Sequence, residues 1–160
     1  MLFNHFDDHG HAIMVDISVK PPTLRRAVAS AQVCLQPEIL QAILDQKISK
    51  GDVLSVARLA GISAAKMTPT LIPLSHPLAI HKVSIDFEPD LSSGTLTVTS
   101  DVIALERSGM EMEAMVAASL AALTVYDMCK GSDKSICLKE TKLLYKEGGK
   151  SGVFERVDGQ

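Results

Sequence analysis

The residues from 114 to 126, AMVAASLAALTVY, contain no charged side chain. Together with the sequence on either side they predict one long helix over residues 110–130 that is small or apolar on every face. Such a helix cannot leave one face in water, so a sheet and a second element have to cover it. We expect that second cover to be either the helix around Gly61 or another subunit, and the composition alone favours an oligomer.

Apolar and polar residues alternate in several short segments, which predicts strands that are buried on one side. Two helical segments follow the first predicted strand, and the uncharged helix comes before the last predicted strand. The predicted elements are, in chain order, a short β-prone segment at 11–18, a strand at 27–35, helices at 37–47 and 52–66, a hairpin of strands at 78–88 and 95–104, the helix at 110–130 and a strand at 136–145.

This order of elements is that of a split βαβ unit. The predicted fold class is therefore α+β and ferredoxin-like, with an antiparallel sheet and helices packed on one of its faces. A chain of 160 residues is the size of one domain, so we expect a single domain over residues 1–160. Residues 1–10 and 148–160 are expected to be flexible ends of that domain.

The second predicted helix carries signals for its ends and for its packing. Asp52 is a candidate N-cap, and the Thr-Pro pair at 68–69 is expected to stop the helix. Pro73 and Pro77 then predict a stiff, extended connection. Gly61 inside a helix costs about 1 kcal/mol relative to Ala, which indicates that another element packs very close to it.

Charge and cysteine content exclude several classes of protein. A net charge of −3 argues against a general nucleic-acid binder. Cys34, Cys129 and Cys137 form no C-x-x-C pair and indicate reduced thiols in a cytosolic protein. The N-terminal residues give no secretion signal, and the uncharged stretch is too short to cross a bilayer. We therefore expect a cytoplasmic protein with neither a nucleic acid nor a membrane as its partner.

Asp127 is the most unusual of the titratable residues. It lies near the C-terminal end of the predicted helix, where the helix dipole disfavours an acid. Lys130 is three positions further on and so shares its face. The pair is either a surface ion pair, which is common and weak, or a proton-transfer pair in which each group shifts the pKa of the other. The dipole argument slightly favours the second interpretation.

Two further candidates stand near the ends of predicted elements. Ser108 and Glu111 fit a capping box, whereas the box does not explain Glu113. His76 lies in a proline-stiffened loop at the entry to a strand, where a rigid loop could hold a catalytic group. Ser75 and His76 are adjacent in an extended chain and cannot form a nucleophile–base pair.

The basic residues at the ends of elements suit a multiply phosphorylated small molecule better than a nucleic-acid strand. They are Arg25, Lys50, Lys66, Lys130, Lys146 and Lys150. The tail GGKSG at 148–152 is no phosphate loop, because Leu144 stands where the pattern requires glycine. It is either a flexible tail or a flap over an anionic ligand.

Histidines are frequent near the N-terminus, at His5, His9 and His11. Nothing around them supplies a rigid ligand set, so no metal site is predicted.

Seven motifs resemble, in order and spacing, those of the molybdenum cofactor biosynthesis protein C (MoaC) family, the cyclic pyranopterin monophosphate synthases. They are MVDIS, KPPTLRRAVA, KGDVLSVARLAGISAAK, LIPLSHPL, SGMEMEAM, AALTVYDMCK and KEGGKSG. The resemblance runs from about residue 11 to residue 152, nearly the whole chain. Each motif is weak alone, and their common order makes the resemblance specific.

The resemblance implies a ferredoxin-like subunit in a homohexamer, a trimer of dimers with active sites at the dimer interfaces. It implies a lyase that converts (8S)-3′,8-cyclo-7,8-dihydroguanosine 5′-triphosphate to cyclic pyranopterin monophosphate and releases diphosphate. The family needs no redox cofactor, and whether Mg²⁺ accompanies the substrate phosphates stays open. Such chemistry consists of proton transfers and phosphate positioning, which suit Asp, Lys and His with cationic clamps.

The family's functional residues match this sequence position by position. Asp127 matches the catalytic acid/base and Lys130 its partner lysine, and with Lys50 and His76 they complete the predicted catalytic set. The substrate-binding positions implied by the resemblance are Leu74, Ser75, His76, Met112, Glu113, Arg25, Lys66, Lys146 and Lys150.

Three motifs depart from the family pattern. Ser75 replaces the usual Cys of L-C-H-P, which argues against an obligatory thiol there. S-G-M-E-M-E-A-M replaces T-G-V-E-M-E-A-L, and Met67 replaces a basic residue after A-A-K. We expect the loss of that basic position to weaken triphosphate binding without abolishing the chemistry.

Two other functions fit the predicted fold. A ligand-binding regulatory module without catalysis would not need Asp127, because fold alone does not fix function. An RNA binder of this fold would need aromatic residues on its strands for base stacking, and the predicted strands offer only Phe87 and Tyr145.

Overall fold

The computed structural model describes residues 5–157. It contains five strands, β1 (Thr23–Cys34), β2 (Lys82–Asp90), β3 (Thr95–Glu106), β4 (Cys137–Glu147) and β5 (Phe154–Glu155). The helices are α1 (Pro37–Leu44), α2 (Val53–Leu71) and α3 (Glu111–Cys129). Part of each predicted flexible end, 1–4 and 158–160, lies outside the described residues, and the flexibility stays a prediction.

The sheet has the strand order β2-β3-β1-β4-β5, and every neighbouring pair is antiparallel. Without the short edge strand β5, this is the order of a split βαβ fold. The predicted α+β, ferredoxin-like class is therefore confirmed. The central strand β1 is longer than predicted because it pairs along its whole length with β3 and over most of it with β4.

The core lies between the sheet and the helices. Alternate residues of β1, namely Ala27, Ala29, Ala31 and Val33, are buried on the helix side. Small residues of α3, Ala114, Ala117, Ala118 and Ala121, are fully buried as well. Alanine on both surfaces lets α3 lie close against the strands, which accounts for the near absence of large aromatic side chains in the core.

Helix α2 provides the second cover of α3. A Cβ added at Gly61 would lie 3.0 Å from the Ala117 carbonyl oxygen and 3.1 Å from Ala121 Cβ. The two helices thus approach so closely that only glycine fits without a shift, as the sequence predicted. The N-cap prediction is also confirmed, because the Asp52 carboxylate accepts a hydrogen bond from the Ser55 amide at 3.0 Å.

Three local predictions were wrong. Helix α2 does not stop before Pro69 but runs to Leu71, because a proline in the last turn removes only one backbone hydrogen bond. Residues 11–18 form no strand and contribute one bridge, between Phe6 and Ala12. The first residues of α3 have no capping box, since the helix begins after Met110 and no side chain caps it.

Helix α3 has the length and apolar composition of a membrane-spanning helix, although its uncharged stretch alone is shorter than a span. Its most apolar stretch is 56% buried within the protein. Core helices of soluble proteins have the same properties, so length and composition are weak signs of a span here.

Candidate active site

Asp127 lies on the last turn of α3 between two ammonium groups. Lys130 Nζ is 2.7 Å from Asp127 Oδ1, and Lys50 Nζ is 3.3 Å from Oδ2. Lys50 also donates a hydrogen bond of 2.8 Å to the backbone carbonyl of Asp127. That carbonyl is one of the helix-end acceptors that α3 cannot satisfy by itself, so Lys50 caps the helix and binds its acid at once.

The two cations change the protonation equilibria of this cluster. Hydrogen bonds and charge from Lys130 and then Lys50 hold the pKa of Asp127 below its usual value. Asp127 in turn raises the pKa of Lys130. At neutral pH the cluster therefore consists of a carboxylate and an ammonium in contact. All three side chains are about half exposed, so they face space that a ligand or another chain can enter.

A second group of predicted residues lines a cavity of about 330 Å³ at the opposite end of α3. Helix α2 ends beside this cavity, and the Ser75 amide donates to the Ile72 carbonyl at 3.1 Å, which turns the chain into the loop that carries His76. The cavity is lined by His5, Val15, Ile17, Lys20, Ile72, Leu74, Ser75, His76, Leu78, Ser108, Gly109, Glu111, Met112 and Glu113.

His76 is oriented by the backbone of the N-terminal segment. Its Nε2 lies 2.7 Å from the Val15 carbonyl oxygen. Because a carbonyl can only accept, Nε2 carries the hydrogen and donates it. In the neutral ring the lone pair is therefore on Nδ1, which is the atom available to accept a proton.

Glu113 is a buried carboxyl group in the wall of this cavity. Only 2% of the residue is exposed, and its Oε1 has no hydrogen-bond partner among the described residues. Burial, reinforced by the nearby Glu111, raises the pKa of Glu113 to about 7. A buried polar atom without a partner is costly in a folded protein, and a ligand in the cavity would supply that partner.

Two of the predicted phosphate-binding residues lie near the same end of α3. Lys146 Nζ is 3.8 Å from Glu111 Oε1 and contacts the Ser151 hydroxyl. Arg25 is buried and donates to the carbonyls of Glu106 and Arg107, at 3.1 and 3.3 Å.

The tail packs against Arg25. A Cβ at Gly149 would collide with its guanidinium, and Gly149 has a φ of +77°. Glycine is therefore required there both for space and for backbone conformation.

The remaining predicted basic residues are more scattered. Lys150 is exposed on the tail, one residue beyond Gly149. Lys66 is exposed on α2 and lines a separate groove with His81 and Lys82. The structure thus brings together Leu74, Ser75, His76, Met112 and Glu113, and separately Lys50, Asp127 and Lys130.

The two clusters are far apart within one chain. Glu113 and Asp127 are fourteen positions apart on α3, which corresponds to about 21 Å along the helix axis. A single reacting atom therefore cannot lie within hydrogen-bonding distance of both Asp127 and His76 of the same subunit.

Several cavity residues were not predicted from the sequence. Lys20 and Glu111 supply charges, and Val15 and Ile17 bring the N-terminal segment over the cavity. Lys20 begins the motif KPPTLRRAVA, which gives it no specific role, and the capping-box prediction for Glu111 did not indicate a cavity. Within residues 5–157, no three His, Cys, Asp or Glu side chains are grouped closely enough to hold a metal ion.

The fold and these clusters define a class of protein: a ferredoxin-like α+β subunit with an acid–ammonium cluster at one end of its core helix and a cavity with a buried carboxyl at the other. The chain belongs to the MoaC family, whose profile matches residues 14–149.

Curated relatives match the chain over its whole length. It is 66% identical over 160 residues to a protein of Pelobacter propionicus, and all of both chains is covered. It is 67% identical over 158 residues to one of Geotalea uraniireducens, with 99% of each chain covered. A protein of Rhodospirillum rubrum is 51% identical over 150 residues, 94% of this chain and 90% of that protein. All three are named cyclic pyranopterin monophosphate synthase.

Proposed function

We propose that this chain is a cyclic pyranopterin monophosphate synthase, a lyase of molybdenum cofactor biosynthesis. It would convert (8S)-3′,8-cyclo-7,8-dihydroguanosine 5′-triphosphate to cyclic pyranopterin monophosphate and release diphosphate. The observation that carries the proposal is that the chain belongs to the MoaC family and that its relatives match it over its whole length. The ion-paired cluster at Asp127 supports it. The reaction rearranges its substrate without net oxidation or reduction, so it requires no redox cofactor.

Asp127 and Lys130 are the proposed proton-transfer pair. At neutral pH Asp127 is a carboxylate and Lys130 an ammonium, because each charge favours the charged form of the other and so lowers the pKa of Asp127 and raises that of Lys130. These are the protonation states of a general base and a general acid. Lys50 holds the carboxylate from the other side and is the nearest further cation. A base and an acid in contact suit a sequence of ring opening and reclosure, in which protons leave one atom and return to another.

The cavity beside His76 is the proposed site for the purine-derived ring. His76 Nδ1 can accept a proton there, and Glu113 with a pKa of about 7 can both donate and accept a hydrogen bond near neutral pH. The Ser75 position lines the cavity with a hydroxyl, which supports the view that a thiol is not required.

The triphosphate is the proposed ligand of the basic residues Arg25, Lys66, Lys146 and Lys150. Lys146 is only 16% exposed, beside the cavity residue Glu111, and this location supports a role at the same ligand. Lys66 opens into another groove and would meet the phosphates only from a neighbouring subunit.

We propose that each active site is shared between two subunits of a homo-oligomer, in the family's hexameric arrangement. The separation of about 21 Å between the clusters supports this, because joining them needs a second chain. Exposed apolar side chains on the helices, including Val56, Leu59, Met67 and Leu123, give such a chain a surface to bury. A cytoplasmic location is proposed with the function.

The test supplies the cyclic nucleotide triphosphate to the purified protein and measures diphosphate and pyranopterin. We expect turnover by the wild type. Parallel assays with and without added Mg²⁺ measure whether the reaction requires the metal. Asp127→Ala should bind the substrate and lose turnover, whereas Asp45→Asn, which disrupts another exposed Lys–Asp pair, should retain it. Binding without turnover by the wild type would instead identify a regulatory module.

A further inference from the structure

Two of the three cysteines face each other across neighbouring strands. Cys34, the last residue of β1, is the register partner of Cys137, the first residue of β4. Directly opposed residues of an antiparallel pair have Cα atoms about 4.5–5.5 Å apart. Disulfides join Cα atoms about 4.4–6.8 Å apart, so this register is compatible with a bond between the two sulfurs.

Both thiols lie on the sheet face that the helices do not cover. Cys34 follows the buried Val33 and so points to the opposite side of the sheet, and directly opposed residues share a face. Cys34 is half-buried and Cys137 is exposed, so a small oxidant can reach them. Cys129 is 1% exposed in the core, and burial raises the pKa of its thiol, which makes it unreactive.

We propose that Cys34 and Cys137 form a reversible intrachain disulfide, a redox modification site at the end of the β1–β4 ladder. The oxidant is a low-molecular-weight disulfide such as oxidised glutathione. The Cys137 thiolate attacks one of its sulfurs and releases one glutathione thiolate, and the Cys34 thiolate then attacks the mixed disulfide and releases the second. One disulfide is reduced to two thiols as the protein's two thiols become one disulfide.

The bond would restrain the segment that joins the proposed catalytic cluster to the sheet. Residues 131–136 lead from Lys130 to the start of β4, and their only buried side chain is Ile136. A bond between Cys137 and β1 would prevent the C-terminal end of this segment from separating from the sheet. Oxidation is therefore expected to slow tryptic cleavage after the exposed Lys134 several-fold.

The test incubates the full chain with oxidised glutathione, blocks remaining thiols and digests the protein without reduction. We expect two of its three thiols to be lost, a peptide containing Cys34 linked to one containing Cys137, and full reversal by dithiothreitol. Cys34→Ser and Cys137→Ser should each abolish the linked peptide and the protection of Lys134. Cys129→Ala is the matched control and should leave both unchanged.

Other products would overturn the proposal. A glutathione adduct that persists on Cys137 would mean that the sulfurs do not meet. A disulfide-linked dimer of two chains would mean that each thiol pairs with another subunit. Retention of all three thiols under the same conditions would exclude the site.

Discussion

The carboxylate of Asp127 occupies a helix end where the dipole disfavours an acid, and two lysines offset that cost. Lys130 directly follows the last residue of α3 and Lys50 lies in the loop before α2, and together they contact both carboxylate oxygens. The sequence predicted the pair with Lys130, because the two residues share a helix face. The contact with Lys50 depends on how a distant loop crosses the end of α3, which no local pattern encodes.

Removing Lys50 should raise the pKa of Asp127. The Lys50→Gln variant loses one of the two cations that hold this pKa below its usual value, while Lys130 remains. A carbon-detected NMR titration of the Asp127 carboxyl would show its midpoint at higher pH than in the wild type. Lys47→Gln, which breaks the 2.8 Å pair with Asp45, is the control that should leave Asp127 unmoved. An unchanged midpoint in Lys50→Gln would contradict the described contact.

Glu113 should make the stability of the protein depend on pH. Its pKa is raised from 4.5 in the unfolded chain to about 7 in the folded protein, so folding favours the protonated form. Stability is then full below about pH 4.5, falls as the pH rises, and has lost about 3 kcal/mol once the pH exceeds about 7.

The neutral isostere isolates this effect. Urea unfolding of wild type and Glu113→Gln at pH 5 and pH 8 should show the variant gaining relative stability at the higher pH. A difference between the two proteins that is the same at both pH values would show that Glu113 ionises without penalty.

At the scale of elements, the contact between α2 and α3 fixes the core. Gly61→Ala gains about 1 kcal/mol of helix propensity but places its methyl 3.0 Å from a backbone oxygen that cannot move aside easily. Overpacking of this kind costs about 1–3 kcal/mol, so we expect a net loss of about 1 kcal/mol in the free energy of unfolding.

Gly131 provides the comparison for that experiment. A Cβ there meets no atom within 4 Å, and the residue has no positive φ, so Gly131→Ala should change the stability little. Thermal or urea denaturation of both variants measures the difference. Equal stability of Gly61→Ala and wild type would mean that the overpacking costs only about the 1 kcal/mol that the variant gains in helix propensity, and the predicted net loss would be wrong.

Element types could be predicted from periodicity, whereas element ends could not. The alternation of apolar and polar residues in β3 indicated a strand, and the uncharged run in α3 indicated a buried helix. The predicted end of α2 is wrong because a proline in the last turn of a helix costs little, so Pro69 does not stop the helix. The error matters for the site, because the extra turn of α2 delivers the loop with Ser75 and His76 to the cavity.

For the whole molecule, the sequence supplied the site residues through family resemblance but not their grouping. His76 and Glu113 share one cavity, and Asp127 with its lysines lies at the other end of α3. The distance between Glu113 and Asp127 follows from their spacing on one helix. The grouping of His76 with Glu113 depends on the antiparallel packing of α2 on α3, which spacing along the chain does not reveal. We propose a site shared by two chains because neither cluster alone contains both the proposed proton-transfer pair and the proposed cavity for the ring.

The central claim is that two chains complete each active site, and subunit mixing tests it directly. Asp127→Ala and His76→Ala are each expected to be inactive alone. After the two are dissociated, mixed in equal amounts and reassembled, chance pairing places an intact Asp127 cluster against an intact cavity in about a quarter of the sites. We therefore predict recovery of about a quarter of wild-type activity. No recovery, in mixed oligomers verified by mass spectrometry, would contradict a shared site.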